Sequence, residues 1–147
     1  MYVDTSVVGG CFNEQFREHS LRLFEAAERQ EIELLLSDVL VAETALAPEE
    51  VRSFLMNLAS VAYERIKRTT AADFLAERYI MEEVVSVKSR MDALHVACAT
   101  VAAADVIVSW DTRHLVKRAR IRGFNRVNEA EGFAPIDITT PKELLNG

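Results

Sequence analysis

Four acidic side chains stand where predicted strands end or predicted helices pass close to those ends. Asp4 ends the first apolar run and Asp111 follows the apolar segment 105–109, while Glu43 and Asp92 fall in predicted helices. In an open α/β sheet the binding crevice lies outside the carboxyl ends of the strands, so Asp4 and Asp111 should project into it. Glu43 and Asp92 could converge on them, which makes these four residues the candidate catalytic and metal-binding set.

Carboxylates held close together raise one another's pKa values unless protons or a cation neutralise them. Hard oxygen ligands without a supporting set of Cys or His favour Mg²⁺ or Mn²⁺ over zinc, so one of these ions is the expected cofactor. Such an ion would activate water and serve phosphoryl chemistry, and a second ion is possible. Each acid also has a structural explanation, since Asp92 suits a helix N-terminus, Asp111 could cap a helix at Thr112, and Glu43 could face solvent.

The elements that must position these acids alternate along the chain. Apolar, β-prone runs at 1–5, 31–37 and 105–109 predict strands, and 136–139 predicts a marginal fourth. Helical spacing and caps predict helices over 14–30, 38–48, 49–60, 70–83 and 90–104, with another beginning at Pro141. This order predicts an α/β fold with three layers, α/β/α, around a short and mainly parallel sheet. With no repeat or linker-like stretch in the sequence, residues 1–147 should form a single domain.

Composition narrows the class of protein. The formal charge of −6 argues against binding to nucleic acid through bulk positive charge, although part of the acidic surplus could belong to a metal site. Only Cys11 and Cys98 are present, so a disulfide scaffold or structural zinc site is not expected. No apolar stretch is long enough to span a bilayer and no signal peptide is recognisable, so we expect a soluble, cytoplasmic protein without membrane association.

Several motifs together resemble the PIN-domain family, which includes the VapC-type toxins of toxin–antitoxin pairs. They are VDTSV at 3–7, Ser37 followed six residues later by Glu43, MDALHVACA at 91–99, IVSWD at 107–111, and the ending from Val127 to Leu144. The resemblance implies a metal-dependent endoribonuclease in which Asp4, Glu43, Asp92 and Asp111 occupy the acidic positions. Ser109 matches a Ser or Thr that supports the last acid, and Thr5 and Ser6 are further candidates for site support. An RNA substrate, a homodimer and an antitoxin partner are also implied.

Several other polar and apolar residues can each be interpreted in two ways. A basic segment after Asp111 could contact RNA phosphates or form the solvated face of an amphipathic helix; its candidate RNA-binding residues are Arg113, Lys117, Arg118 and Arg120. His95 could face the site, although a hydrogen-bonded structural role is the favoured interpretation. The surplus of apolar residues in the helices 49–60 and 70–83 fits core packing or a patch that binds a partner.

Two functions from other classes remain open. After Asp111 the family often has a further acid, and this chain has Thr112-Arg113-His114, which would suit a PIN-like module that binds RNA or a protein without cutting. Asp4 followed by Thr-Ser also resembles the nucleophile loop of a haloacid-dehalogenase-type phosphatase. That class expects a second Asp where Ser6 stands, so substitution of Ser6 should be nearly harmless to a PIN nuclease and matter more to a phosphatase.

Overall fold

The computed structural model describes residues 1–58 and 63–146. Its strands form one five-stranded sheet in the order β3-β2-β1-β4-β5, and every neighbouring pair is parallel. The central strand β1 pairs on both sides, with Tyr2 opposite Leu35 and Ile107. The strands are β1 Tyr2–Val3, β2 Leu34–Ser37, β3 Tyr63–Ile66, β4 Val106–Val108 and β5 Asp137–Thr139.

Helices connect successive strands, as parallel pairing requires. The helices are α1 Thr5–Gly10, α2 Arg17–Glu28, α3 Asp38–Thr44, α4 Glu49–Asn57, α5 Thr70–Met81, α6 Arg90–Val101, α7 Arg118–Ala130 and α8 Pro141–Asn146, with a 3-10 turn at Val87–Ser89. Side-chain caps stabilise three of the described helix starts, those of α3, α5 and α8, where the Thr140 hydroxyl accepts the Glu143 N–H at 3.1 Å. The Ser37 hydroxyl accepts the Leu40 N–H at 3.1 Å and the Thr69 hydroxyl accepts the Ala72 N–H at 3.1 Å, each satisfying a backbone donor that the first helical turn leaves unpaired.

Alternate residues of the strands belong to two separate hydrophobic clusters, one on each face of the sheet. Tyr2, Leu35 and Ile107 pack with α5, α6 and α7, whereas Val3 and Val108 pack on the opposite face with α1, α2 and α4. Successive residues of a strand point to opposite faces, so a sheet buried on both faces needs continuous apolar runs. The predicted α/β fold with three layers and a parallel sheet is thereby confirmed.

Element boundaries differ from the predicted ones in several places. The strand β3 was not predicted, because it lies at the sheet edge and exposes Glu64 and Arg65, which hides the apolar pattern. The first strand is shorter than 1–5, since the chain turns into α1 directly after Asp4. The helix predicted over 49–60 is described as Glu49–Asn57, and its predicted last residues, 59 and 60, lie outside the described residues.

The sheet order places a topological switch point at its centre. From β1 the chain moves outward to β2 and β3, then returns to the other side of β1 to form β4 and β5. Crevices at the carboxyl ends of the strands on either side of such a point are the usual ligand sites of open α/β sheets. The residues that follow β1 and β4 are Asp4 and Ser109, so the fold brings the candidate site to this edge. None of the helices that the structure describes is long and apolar enough to cross a membrane.

Candidate active site

Asp4 is the buried centre of the candidate site. Only 5% of the residue is exposed, and both of its carboxylate oxygens accept hydrogen bonds from hydroxyl groups. Ser6 donates to Oδ1 at 2.6 Å and Ser109 donates to Oδ2 at 2.5 Å. Burial raises the pKa of Asp4, while the charge of His95 and the two hydroxyl hydrogen bonds oppose that rise. The carboxylate is therefore held in place but costly to ionise without a nearby cation.

The two serines also join the ends of β1 and β4. The Ser6 hydroxyl accepts the Trp110 N–H at 2.9 Å, and the Ser109 hydroxyl accepts the Asp111 N–H at 3.0 Å. Each serine thus connects Asp4 to the backbone that carries Asp111. Because Ser6 makes two of these hydrogen bonds, we expect its substitution to disturb the site. The sequence alone had predicted that this substitution would be nearly harmless to a PIN nuclease.

Glu43 reaches the same edge of the sheet from α3, and two side chains hold one of its oxygens. Thr5 donates to Oε1 at 2.6 Å, and His95 Nε2 hydrogen bonds to the same atom. Burial alone would raise the pKa of Glu43, but the hydrogen bonds from His95 and Thr5 outweigh that effect and lower the pKa. Within residues 1–58 and 63–146, Oε2 makes no hydrogen bond that competes with a ligand. Thr5 therefore supports Glu43, whereas Ser6 and Ser109 support Asp4.

His95 is the end of a buried chain of hydrogen bonds that starts on the strands. Its Nδ1 lies 2.6 Å from the hydroxyl of the fully buried Tyr2, which in turn lies 2.7 Å from the Ser37 hydroxyl. A carboxylate oxygen can only accept, so Nε2 carries the proton shared with Glu43, and the Tyr2 hydroxyl donates its own hydrogen to Ser37. Both interpretations of His95 are thus partly right, because it is structural and it also faces the site. Sequence analysis missed Tyr2, although a tyrosine in a buried strand needs a polar partner for its hydroxyl.

Asp92 and Asp111 form the outer part of the site. Asp92 lies in the first turn of α6, and its pKa is raised by burial first and then by the negative charges of Asp111 and Asp4, against the opposing charges of His95 and His114. Asp111 Oδ1 accepts the backbone N–H groups of Arg113 at 3.2 Å and His114 at 3.0 Å, so Asp111 also caps the turn after β4. Asp92 therefore lies near enough to Asp4 and Asp111 for their charges to contribute to its raised pKa.

The donor set fits a hard divalent cation in its chemistry. Carboxylate oxygens dominate it, and burial followed by the charges of Asp111 and Asp4 raises the pKa of Asp92, a cost that a bound cation would reduce. Among the described residues, no group of three or more His, Cys, Asp and Glu side chains already has the arrangement needed to hold an ion. Binding of an ion would therefore require the acidic side chains to move closer together.

The predicted RNA-binding residues do not all lie in one place. Arg113, Lys117 and Arg118 are exposed on the segment between Asp111 and the start of α7. Arg120 instead lines a cavity formed by residues 83–87, and its buried Nη1 has no hydrogen-bond partner in the described part of the chain. No ion pair joins the side chains of these residues to the four acids within that part of the chain.

With this geometry in view, comparison with known proteins identifies the class. A family model of the PIN domain matches residues 1–113, and the chain belongs to the PIN-domain family. The fold also matches a chain in the crystal structure of VapBC2 from Rickettsia felis bound to a DNA fragment from their promoter, with a TM-score of 0.60 and 13% identity over 95% of this chain and 96% of that one. A search of curated protein sequences finds no match. The family match supports the resemblance seen in the sequence and leaves the phosphatase alternative without support.

Proposed function

We propose that this chain is a Mg²⁺- or Mn²⁺-dependent endoribonuclease that hydrolyses RNA phosphodiester bonds. The observation that carries the proposal is the junction between β1 and β4, where buried Asp4 is hydrogen bonded by Ser6 and Ser109 within electrostatic range of Asp92 and Asp111. Membership of a family whose members are generally nucleases supports it. A bound divalent ion would supply the positive charge that lowers the pKa of water and offsets charge in the transition state.

Each acidic residue of the site would have its own role in holding the ion. Asp4 would provide the fixed carboxylate, since hydroxyl groups hold both of its oxygens and leave lone pairs for a ligand. Glu43 would offer Oε2, because Thr5 and His95 both bind Oε1. Asp92 and Asp111 would move toward the ion from the outer part of the site. Protein groups then hold the ion in place, and no histidine is required as a general base.

Exposed basic residues would position the RNA backbone beside these acids. Arg113, Lys117 and Arg118 lie on the surface immediately after Asp111, where contacts to phosphate would orient the strand without reading its bases. Arg120 is a weaker candidate, because its side chain lines the cavity beside residues 83–87.

The experiment that tests the proposal measures cleavage of structured and single-stranded RNAs by purified protein with Mg²⁺, Mn²⁺ or EDTA. The variants are Asp4→Asn and Asp92→Asn, with Asp105→Asn as the control, because Asp105 is exposed next to the start of β4 and lies outside the proposed site. We expect cleavage that requires metal and falls by on the order of 10³-fold in the first two variants, since fixed charges at a reacting centre have effects of this size. The control should keep wild-type activity.

Two other results would change the assignment. Activity that persists in EDTA or in both site variants would show that a contaminant or another mechanism cleaves the RNA. Retained RNA binding without cleavage would instead support the PIN-like binding module, a candidate favoured by the open arrangement of the acidic side chains in the described structure. Circular dichroism and thermal melting of each variant would show whether lost activity reflects lost fold.

We also propose that the protein forms a homodimer and binds an antitoxin. Apolar side chains are exposed on α4 and α5, with Met56 at 77%, Phe74 at 57% and Met81 at 69% exposure. A contiguous apolar patch is typical of a surface that binds another protein. Phe74 and Met81 both lie on α5, whereas α4 with Met56 packs on the opposite face of the sheet, so we propose α5 as that surface. Size-exclusion chromatography with light scattering should show a dimer that Phe74→Glu weakens. A monomeric wild-type protein would refute the dimer.

A further inference from the structure

A cavity of about 510 Å³ lies beside the candidate active site and is not used by the proposed chemistry. Its aromatic wall consists of Trp110 and Phe16, and polar side chains from the same two segments and from residues 140–146, including Gln15 and Lys142, complete it. Trp110 lies between Ser109 and Asp111 in the sequence, so the aromatic wall includes the residue that joins two members of the site. Cavities of this volume are typical of sites for small ligands.

Three contacts hold the indole of Trp110 in place. Its Nε1 donates to the buried Ser20 hydroxyl at 2.8 Å, and its ring stacks on Phe16 with centroids 4.5 Å apart and an angle of 22°. Gly10 packs against the same edge, where an added Cβ would lie 2.8 Å from Nε1, closer than real contacts allow. The aromatic wall is therefore fixed before any ligand arrives, which reduces the entropy cost of binding.

Three polar side chains of the cavity are available to a ligand, whereas the carboxylate of Glu143, which also lines it, accepts a hydrogen bond from Thr139. Gln15, Lys142 and Asn146 line it, and their side chains make no hydrogen bond or ion pair with the residues that the structure describes. A side-chain amide can donate and accept at once, which suits the edge of a nucleobase, and an ammonium group suits a phosphate. Aromatic side chains bind bases by stacking, whatever the base.

We infer that this cavity binds one nucleobase of a single-stranded RNA, stacked against the aromatic wall and contacted by Gln15 and Asn146. The base would belong to a nucleotide next to the phosphodiester at the acidic site, with Lys142 close to the RNA backbone. The inference rests on the proposed nuclease function and adds a base-binding subsite to it. Such a subsite would help to place the strand and could favour some bases over others.

The test uses the fluorescence of Trp110, the only tryptophan in the chain. Metal-free wild-type protein in EDTA is titrated with AMP, GMP, CMP, UMP and single-stranded tetranucleotides, with ribose 5-phosphate as the ligand that lacks a base. The same nucleotides added to free N-acetyltryptophanamide correct for absorption. We expect saturable quenching by at least one nucleotide and by tetranucleotides, and no change with ribose 5-phosphate.

Variants connect the signal to the cavity. Phe16→Leu should weaken tetranucleotide binding by roughly tenfold, as the loss of an aromatic contact to one base predicts. Phe12→Leu is the matched control, because Phe12 packs against Phe54 in the core cluster and does not line the cavity. Gln15→Ala, at an exposed position that is safe for folding, should weaken binding severalfold and change the order of preference among bases.

Failure of this inference can be told apart from failure of the proposed function. Quenching that requires a base, in a protein that cleaves no RNA, would support the subsite while the nuclease proposal falls. Metal-dependent cleavage without quenching by any nucleotide or tetranucleotide would overturn the subsite and leave the nuclease intact. Equal changes with nucleotides and ribose 5-phosphate, or equal losses in Phe16→Leu and Phe12→Leu, would also overturn the subsite.

Discussion

The inner and outer acids of the candidate site are held by different kinds of interaction. Asp4 and Glu43 accept hydrogen bonds from the side chains of Ser6, Ser109 and Thr5, and from a histidine that is itself held by buried partners. Asp92 has no side-chain hydrogen bond within the described residues, and its pKa is raised first by burial and then by the negative charges of Asp111 and Asp4. The inner pair is therefore held by side-chain hydrogen bonds, whereas Asp111 accepts backbone N–H groups and Asp92 has no such partner among the described residues.

This difference indicates which acids are positioned by the folded protein and which would be stabilised by a bound ion. Hydrogen bonds position the inner carboxylates before a ligand arrives, which is the role that outer-shell partners have at metal sites. Burial and the charges of Asp111 and Asp4 disfavour the ionised form of Asp92, and a cation bound beside it would recover part of that free energy. Substitutions at the two regions should consequently have opposite effects on folding.

The largest effect is expected at His95, which holds Glu43 from within the core. His95→Ala should weaken Mn²⁺ binding by roughly 10–100-fold, the usual cost of losing an outer-shell partner, because Glu43 loses a hydrogen bond to Oε1. His95→Gln retains a donor at a similar position and should recover part of the affinity. Isothermal titration calorimetry with Mn²⁺ measures both variants without reference to cleavage.

His114 supplies the matched comparison in the outer region. Its side chain is 53% exposed, with Nδ1 3.4 Å from Asp111 Oδ1, so solvent screens the interaction. His114→Ala should change Mn²⁺ affinity by about threefold or less. Equal losses in His95→Ala and His114→Ala would contradict the distinction between inner and outer acids.

A smaller effect is expected from Ser109, which serves both regions. Ser109→Ala removes the donor to Asp4 Oδ2 and the acceptor of the Asp111 N–H, leaving buried polar groups unsatisfied. We expect the free energy of unfolding to fall by about 1–3 kcal/mol, measured by urea denaturation in EDTA. Ser53→Ala, at an exposed position of α4, should change it little. A loss no larger than that of Ser53→Ala would show that these hydrogen bonds are weak.

The fold could be predicted where the sequence pattern is local. The apolar stripe of α6 and the buried run of β4 are readable because burial on both faces needs continuous apolar residues. The strand β3 could not be read, since it pairs only with β2 and carries Glu64 and Arg65 on its exposed positions. Helix α1 is also hidden, because Val7, Val8 and two glycines are poor helix formers and tertiary packing decides the outcome.

The residues of the site also differ in whether the sequence alone could reveal their roles. Acids at the ends of strands are visible in one sequence, because the edge of a parallel sheet collects them. The connection from Tyr2 through His95 to Glu43 is not visible, since its hydrogen bonds join residues 93 and 52 positions apart. Ser6 was a candidate for site support, but its partner could not be predicted for the same reason, as Trp110 is 104 positions away.

Asp92→Asn should stabilise the metal-free protein while lowering cleavage by on the order of 10³-fold. The substitution removes the charge that Asp111 and Asp4 repel, so the free energy of unfolding in EDTA should rise by about 1 kcal/mol or less for this partly exposed group. Thermal melting at low salt measures the change, and added salt should reduce it. Asp105→Asn should show no such gain, and a fall in stability of Asp92→Asn would argue against repulsion at the outer acids.

The gain from Asp92→Asn should also depend on pH, and its sign follows from the direction of the pKa shift. The pKa of Asp92 is raised in the folded protein, so the folded state binds the proton more tightly than the unfolded state does. Stability is then fully present below the unfolded pKa of about 3.9 and is lost as pH rises through the higher folded value. Asparagine does not titrate, so the Asp92→Asn variant does not lose this stability as the pH rises.

The difference in the free energy of unfolding between Asp92→Asn and wild type should therefore be close to zero below pH 4 or so and grow toward neutral pH. Urea denaturation in EDTA across this range isolates Asp92, because the titrations of Glu43 and the other groups largely cancel in the difference. Saturating Mg²⁺ should reverse the sign at neutral pH, since only the wild-type site retains the full set of carboxylates. A difference that stays constant with pH would mean that the substitution acts through packing and that the outer acids store no electrostatic free energy for a cation to recover.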